Sequence, residues 1–267
     1  MYRHRQGSVA PAGANGKAAS RKQTEAKGWK LVWSDEFDYG GLPDPKKWRY
    51  EEGLVRNDEL QFYTKGRAEN ARVENGALTI EARREAFRGA QYTSVSLVTL
   101  GRFAVQFGRI EMRAKLPGAR GTWPAFWMMG EDIGQVGWPR CGEIDIMEHV
   151  AHDPGVVHAT LHQIGEDGKQ WSKGEQIVVP DYASAFHVYA VEWRPDRLDF
   201  FVDENKYFTF PYQGPGKWTF DRRCYLLLNL AVGGAWGGQK GVDESAFPQK
   251  YVVEYVRVFQ RAARPGG

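Results

Sequence analysis

The sequence has few cysteines and no long apolar run, and each absence excludes a class of protein. Cys141 and Cys224 are its two cysteines in 267 residues, too few for a scaffold held together by disulfides. Both lie in strand-like runs, and we expect two buried free thiols. No apolar run is long enough to cross a bilayer, so we expect no membrane partner. The apolar core of a secretory signal is also missing.

Motifs for nucleotides and catalytic metal ions are missing as well. The six histidines form no spaced ligand motif, and the sequence contains no GxGxxG or P-loop pattern. We therefore expect no cofactor in catalysis.

The first 27 residues differ in composition from the rest of the chain. They contain Ala, Gly, Ser and charged residues but hardly any large apolar side chain, which is typical of disorder. Six basic residues against one acidic residue give them a net charge of +5, so the rest of the chain carries −2 of the total of +3. We interpret residues 1–27 as a disordered basic tail or linker and not as a nucleic-acid-binding arm. Residues 261–267 are expected to form a flexible end.

Residues 28–260 show strand-like alternation and are expected to form one domain. The chain is long enough to bury a full core, and 42% of it is hydrophobic. The apolar side changes parity between residues 103–107 and 110–116, which predicts a bulge or bend at Gly108.

Two further segments show where strands begin and turn. Residues 188–202 predict two strands around the turn Pro195-Asp196-Arg197, and residues 252–259 predict a closing strand. No long stretch has helical periodicity. We therefore predict an all-β fold, a β-sandwich jelly roll of two curved antiparallel sheets with a concave cleft.

The most informative segment is the run Glu143-Ile144-Asp145-Ile146-Met147-Glu148, in which three carboxylates interrupt a β-favouring sequence. In a regular strand Glu143 and Asp145 share a face while Glu148 points to the other side. A single bulge near Met147 would bring Glu148 to the same face, and such bulges are over-represented beside active sites.

Three carboxylates aimed at one spot repel one another, which raises at least one pKa. A retaining glycosidase needs this pairing of one ionised carboxylate, the nucleophile, with one protonated carboxylic acid, the proton donor. The alternative is a solvent-facing acidic stripe on a half-buried strand.

A row of tryptophans lies just upstream of the carboxylates. Alternation places Trp123, Ala125 and Trp127 on one face of a strand, where two indoles flanking a small residue form a flat platform. Pyranose rings stack on such aromatic surfaces. Core packing is the alternative for any single Trp, but the sequence has ten. Such an excess beside an acidic cluster favours an open carbohydrate cleft.

Together these residues resemble glycoside hydrolase family 16, and within it the bacterial endo-β-1,3-glucanases, or laminarinases. The similar segments follow the family's order over residues 28–260: WSDEF (33–37), ELQFYT (59–64), GRIE (108–111), RAKLP (113–117), WPAFW (123–127), CGEIDIMEH (141–149) and NLAVGG (229–234). The two residues between Asp145 and Glu148 match the bulged form of the motif, whereas licheninases usually have the shorter spacing.

The resemblance implies roles for individual residues. Glu143 matches the nucleophile, Glu148 the general acid/base, and Asp145 the carboxylate that hydrogen-bonds the nucleophile. The residues implied to line the substrate groove are Asn57, Arg109, Trp123, Trp127, His162 and Trp236. Arg109 could instead pair with Glu111 or another acid on its strand, and His162 could be a structural histidine.

Family members often hold a structural calcium on the side remote from the cleft. The groups that match its ligands here are Glu36, Gly76 and Glu254, where the family has an aspartate at the last position. Calcium accepts irregular oxygen geometry, so the longer side chain could still reach it. An ordinary charged face on the closing strand is the alternative.

The resemblance therefore implies an endo-acting retaining hydrolase with a β-1,3-glucan as its polysaccharide substrate. Because polymeric glucan lies outside cells, we expect an extracellular protein, and we expect a monomer. The alternatives are a mixed-linkage β-1,3-1,4-glucanase, an agarase or carrageenase, a transglycosylase, and a β-glucan-binding module without activity. A cleft for sulfated galactans would be expected to carry a cationic surplus, which the folded part of this chain lacks.

Overall fold

Strands account for most of the residues that the structure, a computed structural model, describes: residues 14–165, 167–214 and 218–261. The helices are α1 (Ala14–Ala26), α2 (Ile133–Val136) and a 3₁₀ helix, Glu244–Ala246. The first nine strands are β1 (Trp29–Asp35), β2 (Arg49–Glu51), β3 (Gln61–Tyr63), β4 (Ala71–Glu74), β5 (Ala77–Phe87), β6 (Ala90–Ser94), β7 (Ser96–Val98), β8 (Gly108–Lys115) and β9 (Thr122–Gly130). They are followed by β10 (Glu143–Glu148), β11 (Val156–Ile164), β12 (Gln170–Val178), β13 (His187–Arg194), β14 (Arg197–Val202), β15 (Asn205–Pro211), β16 (Cys224–Val232) and β17 (Gln249–Arg261).

The strands form two sheets, and the predicted β-sandwich jelly roll is confirmed. The seven-stranded sheet has the order β12-β11-β10-β9-β16-β7-β2. The ten-stranded sheet has the order β15-β14-β13-β8-β17-β5-β6-β3, with β1 beside β17 and β4 beside β5. Within the described residues, β3 and β6 pair in parallel and the other strand pairs are antiparallel. Neighbouring strands are often far apart in sequence, so long-range contacts hold both sheets together.

The core lies between the two sheets and is built from alternate side chains. Phe126 and Met128 of β9 pack into it, as do Trp193 of β13 and Phe200 of β14, and all four are fully buried. The residues that alternate with them in β9, namely Ala125 and Trp127, belong to a separate apolar cluster on the other face of the seven-stranded sheet. Strand periodicity thus separates core positions from cleft positions, as predicted for this segment.

The chain passes from one sheet to the other at Phe107 and Gly108. Val105 bridges Cys224 in the seven-stranded sheet, whereas β8 begins at Gly108 in the ten-stranded sheet. Both Phe107 (φ 60°) and Gly108 (φ 142°) have positive φ angles. A Cβ atom at Gly108 would lie 2.3 Å from the carbonyl oxygen of Phe259. The predicted bend at Gly108 is therefore confirmed.

Other expectations on the strands and cysteines are also confirmed. Strands β13 and β14 pair as a hairpin around Pro195 and Asp196, and β17 pairs with three strands near the centre of its sheet. Cys141 and Cys224 are buried free thiols. Burial raises the pKa of the Cys141 thiol to about 11.

The N-terminal segment differs from the sequence expectation. Residues 14–26 form helix α1, so the expectation of disorder is wrong there, while residues 1–13 lie outside the described residues. The helix has no apolar face: among its described side chains, Thr24 alone is buried. A prediction based on apolar periodicity could not find it.

At the C-terminal end, Arg261 is the last residue of β17, and residues 262–267 lie outside the described residues. No described helix has the length and apolar character needed to span a membrane.

We expect Gly108→Ala to destabilise the domain by roughly 2–4 kcal/mol, because a side chain there meets the Phe259 carbonyl and the backbone has a positive φ. Gly134→Ala is the matched control, since Gly134 has open space around its Cβ position and an ordinary φ. Urea unfolding of the three proteins measures the effect. Equal free energies of unfolding for the two variants would contradict it.

Candidate active site

The carboxylate run forms β10, and it contains the predicted bulge. Asp145 pairs with Trp127 of β9, but the next pair is Met147 with Phe126, which leaves Ile146 as an extra residue. The pairing with β11 also shifts after Asp145, between Asp145 and Glu148. The bulge thus interrupts β10 on both of its sides.

The bulge sorts the six side chains of β10 onto two faces. Ile144, Ile146 and Met147 all pack into the core between the sheets. Glu143, Asp145 and Glu148 line a cleft on the opposite face of the seven-stranded sheet. Two consecutive residues, Ile146 and Met147, face the core, and this is what returns Glu148 to the side of Glu143. The alternative of a plain acidic stripe does not describe this geometry, because Asp145 and Glu148 are buried.

Most of the other predicted site residues lie in the same cleft. Its lining residues from outside β10 are Arg56, Asn57, Glu59, Trp123, Ala125, Trp127, Met129, Trp138, Thr160, His162, Gln170, Asn229 and Trp236. Five of the six residues implied to bind substrate, all but Arg109, are in this set. Their contact with a sugar remains a prediction.

Glu148 has the environment of a proton donor. Its side chain is 9% exposed, and Trp123 donates its indole N–H to Glu148 Oε1 over 3.0 Å. Burial raises the pKa of Glu148 well above its ordinary value, and the charges of Asp145 and Glu143 raise it further. The Trp123 hydrogen bond acts in the opposite direction. A carboxylic acid with a raised pKa keeps its proton closer to neutral pH.

Asp145 lies between the two glutamates and is also driven toward its neutral form. It is 2% exposed, and burial together with the charge of Glu143 raises its pKa well above the ordinary value. His162 Nε2 lies 3.2 Å from Asp145 Oδ2, and His162 Nδ1 lies 2.7 Å from the hydroxyl of Ser172. His162 therefore links the central carboxylate to β12.

Glu143 is the most accessible of the three carboxylates, and Trp138 is its main partner outside β10. The Trp138 indole donates to Glu143 Oε2 over 2.5 Å while 45% of the Trp138 residue stays exposed. The sequence reasoning missed Trp138. Its position five residues before Glu143, next to the motif CGEIDIMEH, was the available signal.

Two indoles of the cleft are held by groups from distant segments. Trp127 donates to Asn229 Oδ1 over 2.8 Å, and the Arg56 guanidinium lies 5.2 Å from the centre of its ring. The rings of Trp123 and Trp236 meet edge to face with centroids 5.5 Å apart. Asn229 and Arg56 were also missed as site residues. Asn229 opens the motif NLAVGG, whereas Arg56 has no signal beyond its neighbour Asn57.

The prediction that Arg109 lines the groove is wrong. Arg109 belongs to β8 in the ten-stranded sheet, whereas the cleft lies on the seven-stranded sheet. Its Nε donates to Glu111 Oε2 over 2.8 Å, and its Nη1 lies 3.5 Å from Glu192 Oε1. The structure thus bears out the alternative, an ion pair with Glu111. The crossing at Gly108 carries the segment away from the cleft.

The described residues contain one cluster with the composition of a metal site. Potential ligand atoms of Glu143, Asp145 and His162 all lie within 4.8 Å of one another. Trp138 donates to this cluster at Glu143, and Ser172 bonds His162. Because two of its members are the carboxylates of the bulged row, we assign the cluster to acid–base chemistry.

The residues implied to bind calcium do not form an oxygen cage. The backbone carbonyls of Glu36 and Gly76 both accept hydrogen bonds from the Lys17 ammonium, at 2.7 and 2.5 Å. The carboxylates of Glu36 and Glu254 bond Arg257 and Arg113, respectively. Calcium takes six to eight oxygen ligands, and the oxygens offered here already bind cationic side chains. This arrangement does not fit the ion.

A buried carboxylic acid, a more accessible carboxylate and several tryptophans in one cleft define a class of protein, the glycoside hydrolases on a jelly-roll scaffold. The chain belongs to glycosyl hydrolases family 16, whose family model matches residues 58–257.

Similar proteins agree with this assignment. The chain is 50% identical to a beta-glucanase of Rhodothermus marinus over 255 residues, which cover 90% of this chain and 88% of the relative. The crystal structure of the laminarinase from Rhodothermus marinus superposes with a TM-score of 0.83 over 88% of this chain and 98% of that one, at 50% identity. A mutant of SCLam, a non-specific endo-β-1,3(4)-glucanase with 1,3-β-D-cellobiosyl-glucose at its active site, is 46% identical with a TM-score of 0.81, covering 87% of this chain and 95% of that one.

We expect Trp123→Phe to move the alkaline limb of the pH–activity profile to higher pH. A general acid works only while protonated, so activity falls as the pH rises through the pKa of Glu148. The Trp123 N–H lowers that pKa, and its removal should raise it. The measurement is kcat/KM as a function of pH.

Trp127→Phe is the matched control, because its N–H goes to Asn229 and not to Glu148. It should lower activity without moving the alkaline limb. An unchanged limb in Trp123→Phe, or one at lower pH, would contradict the role given to this hydrogen bond.

Proposed function

We propose that the protein is an endo-acting, retaining hydrolase of β-1,3-glucans such as laminarin, and that it works outside the cell as a monomer. The bulge in β10 carries the proposal, because it places Glu143 and Glu148 on one face of the cleft with Asp145 between them. The similarity to a laminarinase along nearly the whole chain supports the choice of glucan.

The first chemical step forms a covalent intermediate. The ionised carboxylate of Glu143 attacks the anomeric carbon of the bound sugar. The bond from that carbon to the glycosidic oxygen breaks, and Glu148 transfers its proton to the leaving oxygen. Burial and the neighbouring charges favour the protonated form of Glu148 that this step needs.

The second step releases the sugar. Glu148, now a carboxylate, accepts a proton from a water molecule as the water oxygen bonds to the anomeric carbon. The bond to Glu143 breaks, which restores both carboxyl groups to their starting states. Two displacements at one carbon retain its configuration.

Asp145 and Trp138 adjust the nucleophile in this scheme. Burial favours the neutral form of Asp145, so it can donate a hydrogen bond to Glu143 without adding a second charge beside it. The Trp138 N–H stabilises charge on the other side of the Glu143 carboxylate. Both donors hold the Glu143 carboxylate in position for the attack.

Mixed-linkage β-1,3-1,4-glucan is the second candidate substrate. The specific observation in its favour is the similarity to SCLam, a non-specific endo-β-1,3(4)-glucanase. The bulged spacing of Asp145 and Glu148 favours β-1,3-glucan as the better substrate.

We expect Glu148→Ala to lose about 10²–10⁴-fold in activity on laminarin. Added azide should rescue it on an aryl β-glycoside of a β-1,3-gluco-oligosaccharide, whose leaving group needs little protonation. Azide replaces water in the second step, so the product should be a β-glycosyl azide, identified by NMR.

Two controls accompany this measurement. Glu143→Gln should lose almost all turnover while keeping its fold, because no other residue is assigned as nucleophile. Glu69→Gln changes an exposed glutamate remote from the cleft and should leave activity unchanged. An α-glycosyl azide from Glu148→Ala, or wild-type turnover in Glu143→Gln, would contradict the double displacement.

A substrate panel tests the choice of glucan. We expect rapid release of short β-1,3-oligosaccharides from laminarin, slower attack on barley mixed-linkage glucan and none on agarose, followed by reducing ends and product sizes. Faster attack on the barley glucan would favour the second candidate. Binding of laminarin without any new reducing ends would mean a recognition module and not an enzyme.

A further inference from the structure

A cationic side chain lies at the position where the family resemblance implies a metal ion. The turn between β4 and β5 contains Gly76 at φ +76°, and Glu36 directly follows β1. The backbone carbonyl oxygens of both residues accept hydrogen bonds from Lys17 Nζ of helix α1, at 2.5 and 2.7 Å. An ammonium with three donors suits such converging carbonyls.

The rest of the helix contact is polar as well. Ser20 Oγ lies 3.0 Å from the hydroxyl of Tyr255, and Arg257 Nη2 donates to the backbone carbonyl of Lys17 over 2.9 Å. Since α1 buries hardly any apolar side chain, these hydrogen bonds attach it to the sandwich. Lys17 provides two of them and contacts two different segments.

Both carboxylates implied as metal ligands, those of Glu36 and Glu254, are already paired with arginines. Arg257 bonds Glu36 through two nitrogen atoms, Nε to Oε1 at 2.9 Å and Nη2 to Oε2 at 2.8 Å. Arg113 bonds the carboxylate of Glu254. With the carboxylates of Glu36 and Glu254 already paired, the two backbone carbonyls alone fall far short of the six to eight oxygens that calcium takes. The positive charges of Lys17, Arg113 and Arg257 would in addition repel a divalent ion.

We propose that the Lys17 ammonium is the resident cation of this site, in place of a structural calcium. It anchors helix α1 to the carbonyl of Glu36, after β1, and to that of Gly76 in the β4–β5 turn. The stability of the domain then depends on its own N-terminal helix and not on metal supply. Burial lowers the pKa of Lys17, and the nearby charges of Glu36 and Asp38 act in the opposite direction and favour its ammonium form. The site is remote from the cleft, so substrate plays no part in its formation.

Thermal unfolding of the full chain tests this proposal. Wild type should show the same Tm in EDTA and in millimolar calcium chloride. Lys17→Met keeps the length of the side chain without its charge and should lower the Tm by about 4 °C, because charge-assisted hydrogen bonds to both carbonyls are lost. Lys22→Met, a change of an exposed lysine on the same helix, is the control and should match wild type.

Limited digestion with subtilisin gives a second measurement that does not depend on global stability. Cleavage within residues 14–26, located by mass spectrometry, should be faster in Lys17→Met than in Lys22→Met, because α1 loses two of the hydrogen bonds that attach it to the sandwich. Activity on a soluble substrate at low temperature should be equal in all three proteins.

Two results would overturn the proposal. One is a wild-type protein that retains about one calcium per chain after dialysis and unfolds at a higher temperature with calcium than with EDTA. The other is a Lys17→Met protein that matches Lys22→Met in both Tm and digestion rate. Neither result depends on which glucan the enzyme cleaves.

Discussion

The active site depends on one extra residue in β10. In a regular strand Glu148 would point into the core, where a lone carboxyl group among Phe, Trp and Met side chains would be costly. With Ile146 as the extra residue, two apolar side chains in succession fill the core and Glu148 returns to the cleft. Packing of the apolar core therefore stabilises the catalytic geometry. Without the bulge, Met147 would leave the core and the carboxyl group of Glu148 would enter it.

The three carboxylates differ in how deeply they are buried, and this difference separates their roles. Asp145 and Glu148 are almost fully enclosed, and burial raises the pKa of both. Glu143 lies nearer the solvent, where Trp138 donates to it. The three carboxylates thus differ in their depth in the cleft and in their partners, because Glu143 and Glu148 each accept an indole N–H whereas Asp145 lies beside His162.

In the ten-stranded sheet, acidic side chains are paired with cationic ones. On that side, arginine and lysine side chains satisfy the acidic residues and exposed carbonyls directly, as in the pairs Arg109–Glu111 and Arg257–Glu36. Lys17 extends this pattern to two backbone carbonyls. Glu111 and Glu36 are thus paired with arginines, whereas Glu143 and Glu148 of the cleft accept indole N–H groups instead.

The sequence by itself determined the strand alternation, the bend at Gly108, the need for a bulge in β10 and the shared face of Trp123 and Trp127, because each follows from a local period of two or from a break in it. Only the tertiary structure decided which sheet received Arg109, that Asn229 and Arg56 support Trp127, and that residues 14–26 form a helix. These features rest on contacts between residues distant in the chain, such as Lys17 with Gly76, 59 positions apart. The periodicity of a segment shows which face of its strand each side chain occupies. The partners of that side chain depend on how the sheets assemble.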